Sequence, residues 1–150
     1  DLDQNLYENT FDYYLAKTTH DSSLSKCVYG IAAYHIGRTD LAFEYLKHSV
    51  FLDLHDMKKY TRHGLHVANL GGSYLMLIYG LLGFKWDETL HLKPRRQKDM
   101  TFKIHMNYQS QIIQLTLSEK SLLIEVEQPI EIMLDHTIYM IENTMTYPLK

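Results

Sequence analysis

The hydrophobic period changes once along this chain, near residue 84, from the spacing of helices to the spacing of strands. Before that point apolar residues recur every three to four positions. Leu24, Cys27, Val28, Ile31 and Ile36 predict one helix, with Gly37 as its stop. Thr39 is placed to cap a second, whose stripe would be Ala42, Leu46, Val50 and Leu54, with Phe43 and Phe51 beside it. A third is predicted from about Leu65 to Leu82, ending at Gly83. Tyr7, Phe11, Tyr13 and Tyr14 lack clean periodicity, so residues 1–19 read as an irregular lead-in.

Past residue 84 the apolar positions alternate: Phe102, Ile104, Met106; Ile113, Leu115, Leu117; Leu122, Ile124, Val126; Ile130, Ile132, Leu134; and more weakly Thr137 to Ile141. Turn-forming segments separate these runs at Asn107 to Ser110, Ser118 to Ser121, Gln128-Pro129 and Asp135-His136. The pattern predicts an antiparallel meander of about five strands with one apolar face. Helices followed by strands make the fold class α+β.

A chain of 150 residues with 45% apolar side chains can bury one core. A net charge of −3 and a pI near 6.3 argue against a general nucleic-acid binder. The one local basic run, Lys93-Pro94-Arg95-Arg96-Gln97-Lys98, reads as a solvated linker. Cys27 stands alone, which excludes an internal disulfide; in its apolar stretch it reads as core. Nine histidines without a Cys cluster or an HExxH pattern do not make a metal site, so no metal or other cofactor is expected. Trp86 and the tyrosines read as packing aromatics before sugar-stacking ones. Gly64 to Phe84 holds no Asp, Glu, Lys or Arg, but its polar first half favours a buried helix over a membrane span. The chain starts at Asp1, not at methionine, and no signal peptide is visible, so a piece of a longer cytoplasmic protein is expected.

Two elements carry the chemistry. His20-Asp21-Ser22-Ser23-Leu24-Ser25 opens the first predicted helix, and Thr61-Arg62-His63-Gly64-Leu65-His66-Val67-Ala68-Asn69 opens the third. Helix starts expose unpaired backbone N–H groups and a positive dipole end, which favour an anion. Hydroxyls on one start and an imidazole on the other suit an oxyanion. A serine there is more commonly an ordinary N-cap, so the residues by themselves leave both readings open.

The run Phe11-Asp12-Tyr13-Tyr14, with Thr18, His20 and Ser22-Ser23-Leu24-Ser25, resembles a segment of glycoside hydrolase family 65, the family of maltose, trehalose, kojibiose and nigerose phosphorylases. Gly64-Leu65-His66-Val67-Ala68-Asn69 followed by Gly72 is similar to that family's DGLHxANMAG stretch. The spacing of the two elements matches as well. Two departures stand out: His63 replaces the family Asp, and Leu15-Ala16 replaces a Glu-Pro pair.

The resemblance implies that residues 1–84 are the last helices of an (α/α)6 catalytic barrel and residues 85–150 a C-terminal antiparallel β domain. It implies a fragment of a glycoside phosphorylase that cleaves an α-linked, maltose-type glucosyl disaccharide with inorganic phosphate and with inversion. In such a reaction an acid protonates the glycosidic oxygen while phosphate attacks the anomeric carbon from the opposite face. The family positions that align with Ser22, Ser23 and His66 bind the phosphate. The general acid would lie upstream, in the rest of the parent barrel, so no catalytic residue is assigned within the chain and the chain alone is expected to be inactive. A homo-oligomeric parent is expected, with no nucleic-acid or membrane partner. The alternatives are a family 65 hydrolase, which would need a carboxylate base for water, and a non-enzymatic helical interaction module.

Overall fold

The computed structural model describes residues 3–56 and 61–149, so the non-methionine start at Asp1 lies outside the described residues. The chain divides into two compact units, residues 1–80 and residues 81–150. The first is helical, the second all strand, and the fold is α+β.

The expected irregular lead-in is instead a helix, α1 (Gln4–Leu15). Asp3 caps it, its Oδ1 accepting the Leu6 N–H at 3.1 Å. No glycine or proline interrupts it. Its periodicity is faint because it buries one side chain, Phe11, and leaves Tyr13 and Tyr14 exposed. Phe11 packs against the Tyr29 ring, 5.7 Å between centroids, and the Arg38 guanidinium lies over its face. That guanidinium also grips Asp12 with two hydrogen bonds, at 2.5 and 2.7 Å.

Helices α2 (Ser25–His35) and α3 (Thr39–Leu54) form a tight hairpin. Gly37 turns the chain at φ +79°, where a side chain would be strained. Thr39 does not cap α3; the cap position is Arg38, and no side chain bonds there. The buried stripe is Ala42, Leu46, Ser49 and Leu52, while Leu54 is 73% exposed. A helix advances 3.6 residues per turn, so the steps of four expected from Ala42 to Leu54 drift off the buried face.

The third expected helix begins at Val67 as α4 (Val67–Leu75), after a 3-10 turn (Thr61–His63), and then widens into a π-helical turn (Met76–Leu81). Glycines let it dock on α2. The Met76 side chain occupies the space where a Gly30 Cβ would sit, and a Cβ on Gly80 would come within 2.6 Å of the Tyr34 ring. No helix among the described residues is long and apolar enough to cross a membrane.

Among the described residues the second unit holds eight strands: β1 (Lys85–Trp86), β2 (Leu90–Leu92), β3 (Phe102–Tyr108), β4 (Gln111–Leu117), β5 (Ser121–Glu125), β6 (Ile130–Leu134), β7 (Thr137–Ile141) and β8 (Thr144–Pro148). They form two sheets, ordered β1-β2-β6-β7 and β3-β4-β5-β8. The five expected runs are all strands, but the single meander is not observed. Only β3-β4-β5 continue as one. β6 leaves for the other sheet and pairs parallel with β2, and β8 returns to β5. Alternation tells which face is apolar but not which strand lies next door.

Ile113, Leu115, Leu117, Leu122 and Ile124 of one sheet are buried, as are Leu90, Leu92, Ile130, Ile132, Leu134 and Ile141 of the other. Polar bonds tie the sheets together. The Tyr108 hydroxyl accepts the Leu90 N–H at 3.1 Å, and the Tyr147 hydroxyl donates to Asp135 Oδ2 at 2.9 Å. Two-residue turns with positive φ, Gln109-Ser110 and Asp135-His136, close the β3–β4 and β6–β7 hairpins. The basic run is not a solvated linker. Pro94 and Gln97 are buried, Arg95 N–H donates to the Leu81 carbonyl at 2.8 Å, and Arg96 pairs with Glu119.

Candidate functional site

The start of α2 is built by His20, Ser22, Ser23 and Ser25. His20 adopts φ 56°, and its ring Nδ1 lies 2.7 Å from Ser25 Oγ. Tyr45 OH lies 3.4 Å from Nε2, and Tyr29 packs edge-on against the ring. Burial, aided by the nearby Lys26 charge, lowers the His20 pKa and favours the neutral ring. Ser22 is exposed and Ser23 half-buried. The Ser22 carbonyl accepts the Ser25 N–H, and its hydroxyl accepts the Leu24 N–H at 3.3 Å. Neither serine is the N-cap. That position is Leu24, and no side chain caps the helix. Ser22 still serves the helix start locally, through the Leu24 N–H, one residue before the position a serine N-cap would take.

The start of α4 is built differently. Gly64, at φ +118°, turns the chain after the 3-10 segment. His66 occupies the N-cap position but makes no side-chain cap bond. Its ring turns to Asp53 in the last turn of α3. Nδ1 lies 2.6 Å from Asp53 Oδ1, and the His66 backbone N–H donates to Oδ2 at 2.8 Å. The hydrogen bond from His66 holds the Asp53 carboxyl below the usual carboxylate range. A carboxylate only accepts, so Nδ1 carries the proton and Nε2 remains for a ligand. The side chain of His63, the residue that departs from the family pattern, lies outside the described residues.

A buried cluster sets the two starts beside each other. Cys27 Sγ lies 3.4 Å from Asn69 Oδ1 and 3.5 Å from Ser49 Oγ. Asn69 is fully buried, and its Nδ2 donates to the Ser49 carbonyl at 2.7 Å. A Cβ on Gly72 would come within 2.7 Å of Cys27 Sγ, so the backbones of α2 and α4 approach as closely as a glycine allows. Cys27 and Asn69 each lie one turn inside their helix, so both N-termini emerge at one end of the unit. Among the described residues no hydrogen bond joins Ser22 or Ser23 to His66 directly. Most first-turn N–H groups already have acceptors: Ser25 donates to the Ser22 carbonyl, Cys27 to that of Leu24, Val67 to that of Leu65 and Asn69 to that of His66, so an anion here would be held chiefly by side-chain donors.

The β unit has a hollow of about 410 Å³ lined by His105, Ile112, Gln114, Glu125, Val126 and Glu127. Its two carboxylates disfavour an anion. No three His, Cys, Asp or Glu side chains gather as a metal would need among the described residues.

Residues 1–75 match the model of the glycosyl hydrolase family 65 central catalytic domain, half of the chain and both helix starts. The chain belongs to glycosyl hydrolase family 65. Among its family 65 relatives, the α,α-trehalose phosphorylase of Geobacillus stearothermophilus is 36% identical over 120 residues, covering 79% of this chain and 16% of that protein. The maltose phosphorylase of Bacillus subtilis (strain 168) is 32% identical over 118 residues, covering 77% of this chain and 16% of that one. The family 65 chain thus spans about one-sixth of the length of these curated relatives. In fold it resembles the solved structure of a putative kojibiose phosphorylase from human microbiome, with a TM-score of 0.91 over 99% of this chain and 20% of that one, at 20% identity.

Sequence reasoning about this family 65 chain misses Asp53. A signal exists. An acidic residue in the last turn of a helix opposes the dipole, so its presence there calls for a partner. Asp53 also follows Ala42, Leu46 and Ser49 at helical spacing, on the face that meets α4.

Proposed function

We propose that this chain is the C-terminal portion of an inverting phosphorylase for an α-linked, maltose-type glucosyl disaccharide, and that it supplies the inorganic-phosphate site. Residues 1–84 are then the last helices of the (α/α)6 barrel and residues 85–150 its C-terminal β domain. Ser22 and Ser23 donate hydroxyls to phosphate oxygens, and His66 donates through Nε2. The observation that carries this reading is the placing of two helix starts, one preceded by Ser22 and Ser23 and the other by His66, at one end of the unit, locked through Cys27 and Asn69.

Phosphate is already an anion at neutral pH and needs no base to make it a nucleophile. It needs donors that hold it in line with the bond to be broken. The sugar is held by the upstream part of the barrel, which also supplies the acid that protonates the leaving oxygen. A hydrolase would instead need a carboxylate free to activate water. Asp12 is gripped by Arg38, Asp21 accepts from Thr19 at 2.7 Å, and Asp53 is held by His66. This favours the phosphorylase.

The test is Ser22→Ala with Ser23→Ala in the full-length parent. Two lost charge-assisted bonds should lower kcat/KM for phosphate about 100-fold or more. Disaccharide binding measured without phosphate should not change. A double variant with the wild-type phosphate dependence refutes the assignment.

A further inference from the structure

Resting on the phosphate-site reading of His66, we propose that Asp53 is a positioning residue of that site: it fixes His66 with Nε2 toward the phosphate and balances the imidazolium charge when that nitrogen is protonated. One carboxylate takes both the Nδ1–H, at 2.6 Å, and the backbone N–H of the same residue, at 2.8 Å. Ring and helix start are thereby held as one piece. The Asp53 side chain is 7% exposed and the His66 side chain 27%, so the grip is sheltered while the ring keeps an open edge.

Asp53 does not itself meet phosphate in this arrangement. It carries the same sign of charge, and both of its oxygens are engaged by His66. It also stands where a helix alone would disfavour it, in the negative last turn of α3. What it supports lies across the gap, on α4. No proton changes owner: Nδ1–H stays on the ring, and Nε2 donates to a phosphate oxygen. The other titratable residues of the segments that form these helix starts are His20, Asp21 and Lys26 around the start of α2, Asp56 after α3, and Arg62 and His63 in the 3-10 turn, with Tyr45 of α3 against His20. Phosphate titrates too, but identically for every variant.

The measurement is steady-state kinetics of the full-length parent with inorganic phosphate and disaccharide across a range of pH, for wild type, D53N, H66A and D53N/H66A. D53N keeps the shape and removes the charge. It should raise KM for phosphate about tenfold or more, as loss of an orienting partner behind a histidine ligand does, and leave KM for the disaccharide alone. Its KM for phosphate should stay above that of wild type across the pH range. On the H66A background, D53N should add nothing further to KM for phosphate. A mere cap role for Asp53 would lower thermal stability without any of these changes. If H66A impairs phosphate use while D53N keeps the wild-type phosphate KM and pH profile, Asp53 is not a positioning residue and the phosphate site stands. If H66A itself leaves phosphate use intact, the phosphate-site reading falls and this inference falls with it. Should D53N not fold, D53E replaces it: a retained but displaced carboxylate should raise KM for phosphate, and an unchanged KM overturns the proposal.

Discussion

Cys27 Sγ lies 3.4 Å from Asn69 Oδ1, and each is the third residue of its helix. Matched depth is the point of this contact. Sliding one helix by a single turn moves its start by about 5.4 Å, more than a hydrogen-bonding distance. The register of the two helix starts is thus set by small buried side chains one turn below them.

Adjacent glycines of α4 should respond to alanine with opposite signs. A Cβ on Gly72 would meet Cys27 Sγ and Cβ at 2.7 and 2.9 Å, whereas nothing lies within 4 Å of one on Gly71. Alanine gains about 1 kcal/mol over glycine in a helix, and overpacking costs about 1–3 kcal/mol. G71A should therefore stabilise the 150-residue chain and G72A destabilise it, as read by urea unfolding. Equal shifts for the two would contradict the close approach.

Asn69→Ala leaves the Ser49 carbonyl without its Nδ2 donor in a fully buried position. The Ser49 carbonyl keeps its helical bond within α3, so the loss is that of one buried hydrogen bond, about 0.5–1.5 kcal/mol. The midpoint of denaturant unfolding should fall accordingly with the slope unchanged. In the full-length parent, KM for phosphate should also rise, although Asn69 is not among the proposed ligands. A stable N69A with unaltered phosphate kinetics would show that this cluster does not set the register.

Alkaline pH probes the tie between the two sheets. Burial and the bond to Asp135 push the Tyr147 hydroxyl from 10.0 up to about 12. A raised folded value means that its contribution to stability is complete below about pH 10 and is lost as pH climbs toward 12. Tyr147→Phe should lower stability near neutral pH and flatten the fall across that alkaline window, measured by unfolding at stepped pH. An unchanged pH dependence in the variant would mean that the tie is not formed.

The 150-residue chain by itself should turn over no disaccharide. Incubated with maltose, trehalose or kojibiose plus phosphate, it should release no sugar phosphate, because acid and sugar walls lie elsewhere in the proposed parent. It should also self-associate. Val67, Leu70, Tyr74, Leu75 and Tyr79 are exposed along α4 and its π turn, Val67 to 71%. Light scattering from a strictly monomeric solution at high concentration, or protein-dependent product, would contradict the respective expectation.

Much of this fold can be read from the sequence, and the gaps have physical causes. Helices α2 and α3 are legible because their apolar residues recur at helical spacing and Gly37 marks the stop, although Leu24, Val28 and Leu54 of that spacing are exposed. Helix α1 is not, since a single buried phenylalanine makes no period. Five strands are legible from alternation, but β1, β2 and β8 are short or carry few apolar residues, and sheet partners are chosen across the chain. At the candidate site, Ser22, Ser23 and His66 are legible as residues preceding helix starts. The His66–Asp53 bond is not, because it joins residues of different helices. The π turn gives no periodic signal of its own within an apolar run.

The parallel pairing of β2 with β6 has a consequence for the order of events during synthesis. β3, β4 and β5 are neighbours in sequence and can zip together as soon as they leave the ribosome. β2 must wait with one edge bare until β6 emerges, and β5 must wait likewise for β8. Both sheets are therefore completed only once residues 130–148 have been made. A premature stop within that stretch would release a nascent chain carrying two open strand edges, a direct route to aggregation.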